Sequence, residues 1–533
     1  MKAAVVDADL LSATKDSIAI LDFEQGDGAR NWLSGKNKNL ADQLSHAMES
    51  GDFRFKDGQV MLLYGRGNFS CDRVIFAGLG KKQDFKHNKI RTAVSSIVNA
   101  VRLMGVKELA FCVDSSYSLS EQALFCRSVI EAVFLSHHKY EVHKTEKELT
   151  YLNSIILSAP GRQKDLAPVV QSASVVCNNV LLARDLINTG ASDKPPKMIA
   201  EYVQKKAGKN IKVSALFKKE LQRMGAGGIL SVNRGSTNEP CLLVMEYKPE
   251  GYKPGEYNPG EYNPKMKGTG KKEIPGKKGM PTVALVGKGI VFDSGGLDIK
   301  PASGMETMKG DMTGAASVIH AILAAAALNI PVHIVAISAL TDNMVGPDSY
   351  KPGDFVKTMS GKTVEILNTD AEGRMVLADA LHYAKSFKPD YIIDIATLTG
   401  ACWIALGGEA AGLFCNDASF SDQLVKAGEE THERLWPLPM FDEYAELMKS
   451  DFADLKNVVS NSPSGGGAIT AAKFLENWVD KKQKWAHLDI AGVDWMEVEK
   501  DFRPRGATGF GVRLLVRFLA DLAIGKGSLK SIL

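Results

Sequence analysis

The 533-residue chain has no GxxxxGK[ST] phosphate loop, no GxSxG elbow and no HExxH zinc helix. Those absences argue against phosphoryl-transfer enzymes, serine hydrolases of the elbow type and helix-borne zinc peptidases. Cysteine is sparse. The seven (Cys71, Cys112, Cys126, Cys177, Cys241, Cys402 and Cys415) form no CxxC pair and sit mostly in apolar runs, which suits buried free thiols in a reducing compartment and predicts no disulfides. Net charge is almost absent: 65 basic residues against 62 acidic ones give +3, too little to imply a nucleic-acid or membrane partner by itself. Long apolar runs are lacking too. The most apolar later window, 321–328, is too short to span a bilayer, and Asp7 and Asp9 interrupt any signal-like stretch at the N-terminus. The C-terminal Ser531-Ile532-Leu533 lacks the central basic residue of a peroxisomal signal. A cytoplasmic location and no membrane partner are expected.

With 45% hydrophobic and 24% charged residues, the chain has core enough for two or more domains. Short aliphatic or β-branched runs alternate with longer helical patterns, the α/β signature. Strands are expected at 17–23, 72–77, 108–113 and 154–158, with helices at 88–104 and 120–136. A helix at about 167–186 leads into Asn188-Thr189-Gly190-Ala191-Ser192-Asp193-Lys194-Pro195-Pro196, which is turn and linker chemistry. Beyond it, strands at 282–286, 332–340 and 391–398 are nearly continuous in apolar residues, as strands covered on both faces should be, with helices at about 314–328 and 374–387 between them. The expected fold is α/β in two domains. A smaller N-terminal α/β domain (1–166) and a linking helix and linker (167–196) precede a larger catalytic α/β domain (197–533) whose central, mostly parallel sheet is flanked by helices.

Residues 248–279 break this texture. They repeat Pro-Gly-Glu-Tyr-Asn almost perfectly and end in a lysine-rich run, with eight lysines against four glutamates, a surplus of four positive charges. Such a segment buries no core. It reads as a solvated surface insertion, with docking of an acidic partner as the other reading.

The chemistry lies in the catalytic half. Asn368-Thr369-Asp370-Ala371-Glu372-Gly373-Arg374 packs two carboxylates and a guanidinium into seven residues before a helical pattern, and 288–311 adds Lys288, Asp293, Lys300 and Asp311. Four carboxylates balance two divalent ions. Oxygen ligands alone suit magnesium or calcium, whereas a nitrogen ligand favours zinc, manganese or cobalt, and Lys288 is the candidate once its amine is neutral. Two such ions activate water and polarise a carbonyl. Lys300 and Arg374 are left as cations for a developing oxyanion. Taken singly, each feature has a plainer explanation: an Asp-x-Glu before a helix usually caps it, and a lone lysine after a strand is usually solvated.

The wording of three segments changes that balance. They are Val286-Gly287-Lys288-Gly289-Ile290-Val291-Phe292-Asp293-Ser294-Gly295-Gly296-Leu297-Asp298-Ile299-Lys300, Met308-Lys309-Gly310-Asp311-Met312-Thr313-Gly314, and the heptapeptide at 368–374. They resemble the leucyl aminopeptidase (cytosol aminopeptidase) family, peptidase family M17. The likeness continues through Asp394-Ile395-Ala396-Thr397-Leu398, Asp454-Leu455-Lys456-Asn457 and His487-Leu488-Asp489-Ile490-Ala491-Gly492, and runs from about residue 183 to the C-terminus. The resemblance implies one metal on Lys288, Asp293, Asp311 and Glu372, and a more exchangeable one on Asp293, Asp370 and Glu372. It also implies that Lys300 polarises the substrate carbonyl and that Arg374 holds a bicarbonate acting as general base. Met308, Asn368, Thr397, Leu398 and Ala491 would line an apolar pocket for leucine and similar residues. The metals would be zinc or manganese, with cobalt or magnesium admitted at the exchangeable site. Small peptides would be the substrates and a homohexamer, a dimer of trimers, the assembly. The competing reading is a DNA- or protein-binding scaffold on the same fold, with or without peptidase activity; the near-neutral charge argues against nucleic acid.

Overall fold

The computed structural model describes residues 1–14, 16–65, 70–146, 152–250, 280–459 and 465–524. The 248–279 insertion from residue 251 onward, and Ser531 to Leu533, lie outside the described residues.

The chain forms two compact units, Met1–Leu181 with Met496–Arg505, and Leu182–Trp495 with residues 506–524. The first unit is built on a six-stranded sheet in the order Lys2–Val6, Ser154–Ser158, Glu108–Cys112, Ser17–Asp22, Arg73–Gly78, Val60–Tyr64. All pairs are parallel except the last. Alternation along Arg73–Gly78 makes two cores: Val74 and Phe76 join Leu33, Leu40 and Leu44 on one face, while Ile75 and Ala77 join Val94, Ile97 and Val133 on the other. The helices that supply those partners are Asp27–Ser34 and Lys38–Ser50 on the first face, Asn88–Val101 and Leu119–His137 on the second.

The second unit carries an eight-stranded sheet in the order Leu435–Pro437, Ala411–Cys415, Lys484–Asp489, Tyr391–Ala396, Thr282–Asp293, His333–Asn343, Cys241–Tyr247, Ile211–Phe217. Its four central strands, Lys484–Asp489 to His333–Asn343, are mutually parallel. Eleven of the twelve residues of Thr282–Asp293 are buried, as its apolar run requires, and the helix Thr313–Ala327, also read from the sequence, is buried along nearly its whole length. In such a sheet the strands' carboxyl ends open onto the crevice where ligands bind.

The helix Glu372–Ala384 is tied down from within by Asp379, a fully buried carboxylate that accepts Met359 N at 2.7 Å and Ile229 N at 2.9 Å. Burial pushes its pKa up to about 7. Asp379→Ala strands those two buried N–H groups, so we expect a loss of about 1–3 kcal/mol of unfolding free energy in chemical denaturation. A variant as stable as the parent would show that this anchor is redundant.

Candidate metal centre

Three segments converge at the carboxyl-end edge of the central sheet. Thr282–Asp293 ends on Asp293 and carries Lys288 at mid-strand; the Met308–Gly310 turn delivers Asp311; and Glu372 is the first residue of its helix. Ala371 stands at that helix's N-cap and makes no side-chain cap, so capping does not explain Asp370 or Glu372. Gly373 is a matter of space. A Cβ there would lie 2.5 Å from Lys288 Cε and 2.8 Å from Nζ, so any larger residue would push the lysine out of this position.

Lys288 Nζ donates to Asp311 Oδ1 at 2.8 Å and to the Thr397 carbonyl at 2.8 Å, and stands 2.9 Å from Glu372 Oε1. Lys300 Nζ lies 2.9 Å from Asp293 Oδ2 and 2.5 Å from Asp370 Oδ1. Burial and mutual repulsion raise the pKa of Asp370 to about 7 and also move Glu372 and especially Asp311 up. Burial presses Lys288 towards neutrality, but Asp311, Glu372 and Asp293 outweigh it and its pKa is raised. The amine is therefore an ammonium in the metal-free centre, contrary to the effect that burial alone would have. Lys300 is raised in the same way, burial being overcome by Asp293, Glu372 and Asp311.

The donor set fits divalent ions. Ligand atoms of Asp293, Asp370 and Glu372 all lie within 4.8 Å of one another, and Asp311 Oδ2 is buried without a hydrogen-bond partner among the described residues. Four carboxylates around two ammonium groups are short of positive charge, which a cation supplies.

Arg374 is buried beside this cluster rather than in it. Its Nη1 donates to the Asn457 carbonyl at 2.6 Å, and its guanidinium lies 6.0 Å from the Phe474 ring centroid. The five expected pocket residues are all half-buried. Three are hydrogen-bonded to the carboxylate-bearing residues: Thr397 Oγ1 donates to Asp311 Oδ1 at 2.7 Å, Asn368 Oδ1 accepts Asp370 N at 2.7 Å, and the Met308 carbonyl accepts Asp311 N at 3.3 Å. Leu398 N and Ala491 N share Asp489 Oδ1 instead, at 3.1 and 3.3 Å.

A supporting ring was not singled out from the sequence. Asn343 Nδ2 donates to Asp293 Oδ1 at 2.8 Å and to the Thr369 carbonyl at 3.1 Å, and Tyr350 OH donates to the same carbonyl at 2.6 Å. Asn457 braces the 367–368 backbone, accepting Leu367 N at 2.8 Å and donating to the Asn368 carbonyl at 2.6 Å. The one signal for Asn343 was the polar Thr341-Asp342-Asn343 end of an otherwise apolar strand.

Comparison with known proteins places the chain among peptide hydrolases. The family model described as "Cytosol aminopeptidase family, catalytic domain" matches residues 181–257 and 272–516, and the one for the N-terminal domain of the same family matches 27–147. The probable cytosol aminopeptidase of Geobacter sp. (strain M21) is 40% identical over 89% of this chain and 91% of its own length. That of Roseiflexus castenholzii is 37% identical over 98% and 99%. Among solved structures, a mutant of tomato leucine aminopeptidase superposes with a TM-score of 0.83 at 30% identity, covering 98% of this chain and 96% of its own. The bottromycin maturation enzyme BotP in complex with Mn gives 0.78 at 28%, covering 96% and 100%.

Proposed function

The chain belongs to the cytosol aminopeptidase family and is an aminopeptidase, and from that premise we propose that it releases N-terminal leucine and other apolar residues from small peptides in a two-metal centre. The observation that carries this reading is the cluster of the buried Asp293 and Glu372 with the half-buried Asp370, and the unpartnered Asp311 Oδ2 beside it. One ion would be held by Lys288, Asp293, Asp311 and Glu372, the other by Asp293, Asp370 and Glu372. When bound, they supply Lewis acidity to the scissile carbonyl and to water.

The chain's own groups do the rest. Lys300 donates hydrogen bonds where negative charge builds on the carbonyl oxygen. Arg374 holds an anion, bicarbonate being the candidate, as proton acceptor. A free α-amine is what the carboxylate-rich centre selects, so blocked N-termini are refused. Met308, Asn368, Thr397, Leu398 and Ala491 receive the side chain that amine belongs to. The nitrogen donor at Lys288 favours zinc or manganese, and the manganese of the BotP complex supports the latter; cobalt or magnesium would suit the exchangeable position. A cytoplasmic homohexamer acting on small peptides completes the reading.

The test is hydrolysis of leucine p-nitroanilide and its N-acetylated counterpart by protein stripped with chelator and resupplied with zinc, manganese or cobalt. Metal-restored cleavage of the unblocked substrate alone is expected. Because Lys288 begins as an ammonium, metal loading displaces its proton, and retention of the ion should weaken as pH falls. Cleavage that survives full metal removal, or that ignores acetylation, would refute the proposal.

A further inference from the structure

Lys300 stands at the end of a loop, 294–300, whose Leu297, Asp298 and Ile299 are exposed. A flexible lysine on an exposed loop is a poor device for placing a charge, yet its ammonium sits within 2.9 Å of Asp293 and 2.5 Å of Asp370. The loop is folded on itself through Gly295 (φ 87°) and Gly296 (φ 66°) and closed by Lys300 N donating to the Ser294 carbonyl at 2.9 Å. What fixes it to the rest of the centre is Asp298. Its Oδ2 accepts Thr369 N at 2.7 Å and lies 3.0 Å from Thr369 Oγ1, while its own N–H donates to that oxygen at 2.9 Å. Thr369 Oγ1 also donates to the Gly295 carbonyl at 2.7 Å. Thr369 is a fixed base: fully buried, next to Asp370, and held from behind at its carbonyl by Tyr350 and Asn343.

We propose that Asp298 is a positioning residue that locks the lysine-bearing loop onto the Thr369-Asp370 turn and so sets where Lys300 meets the substrate carbonyl. This rests on the aminopeptidase reading above, in which Lys300 steadies charge on that oxygen. Charge stabilisation of this kind depends on placement, and a misplacement of about 1 Å costs on the order of 10²-fold. Asp298 makes its hydrogen bonds to Thr369 and not to the side chains of the pocket residues. Its loss should therefore appear in kcat and leave KM nearly unchanged.

The experiment is a double-mutant cycle with Lys300, using leucine p-nitroanilide and the metal-loaded full chain, with metal content and circular dichroism as controls. Asp298→Ala should lower kcat by about 10- to 100-fold with KM and metal content retained. Asp298→Asn, which keeps a carbonyl acceptor for Thr369 N, should recover most of it. In a Lys300→Ala background, Asp298→Ala should have no further effect. If Asp298→Ala does not fold, Thr369→Val carries the same test, because it removes the hydroxyl that Asp298 N and the Gly295 carbonyl share. Full activity of Asp298→Ala, or a loss that adds undiminished to that of Lys300→Ala, would overturn the proposal while leaving the aminopeptidase reading standing. A wild-type protein inactive on unblocked substrates with every metal would overturn both.

Discussion

Replacing Glu372 with alanine is expected to abolish hydrolysis without unfolding the protein. The side chain is almost completely buried, starts a helix and lies 2.9 Å from the Lys288 ammonium. Its own pKa is raised, burial and the Asp293 charge outweighing the pull of Lys288 and Lys300, so the carboxylate is held at a cost to the fold. Removing it relieves that cost. Lys288 keeps Asp311 and the Thr397 carbonyl as partners, and is not left as an uncompensated buried charge. In the two-metal reading, however, Glu372 serves both ions, and no neighbour stands ready to replace it. We expect leucine p-nitroanilide turnover to fall by at least about 10³-fold, the scale on which members of a catalytic unit count. Glu372→Gln, matched in shape but without the charge, should be nearly as impaired. Wild-type turnover by the metal-loaded, folded Glu372→Ala protein would sink the assignment of this cluster as the catalytic centre.

The candidate ligands were legible because they lie close together in sequence and in characteristic wording; the groups that orient them were not. Asn343 meets Asp293 across 50 residues, and Asn457 meets Leu367 across 90. Neighbouring strands close both distances, the first in the eight-stranded sheet and the second in a small three-stranded sheet where Thr363–Glu365 pairs with Leu455–Lys456, and spacing along the chain carries no trace of strand order. The same limit explains which strands were read. Ser154–Ser158 and the buried centres of Thr282–Asp293, His333–Asn343 and Tyr391–Ala396 announce themselves as apolar runs. Lys2–Val6 and Leu435–Pro437 lie at sheet edges, half-exposed, and are too short or too mixed to stand out, whereas the edge strand Val60–Tyr64 is an apolar run as plain as those and was equally legible. Cys241–Tyr247 is a fully buried apolar run bounded by Pro240 and Pro249, and it too was legible in the sequence. The ionisation of Lys288 shows a third kind of limit. Burial was foreseeable and the carboxylates were named with the amine, but their close distances to it, which decide the sign, were not.

Arg374→Ala should leave metal binding intact and slow turnover by about 10²- to 10⁴-fold, the usual worth of a positioned proton acceptor. The guanidinium is more than nine-tenths buried, and burial lowers its pKa to about 10 against the opposing pull of Glu372 and Asp489, so it remains a cation at neutral pH. It makes no hydrogen bond to the four carboxylates of the candidate metal centre, which is why the proposed ions should stay. Nη1 is committed to the Asn457 carbonyl, whereas Nε is buried with no hydrogen-bond partner among the described residues. A buried donor left open on a cation is costly, and the proposed anion, bicarbonate, would satisfy it. Arg374→Lys preserves charge but not the planar fork, and should recover little. Bicarbonate itself provides the decisive measurement. Depleting it should slow the wild-type protein and leave Arg374→Ala unchanged, because the variant has already lost the anion's seat. Equal sensitivity of the two proteins to bicarbonate would remove Arg374 from the proton-transfer step and leave it a structural cation bracing Asn457.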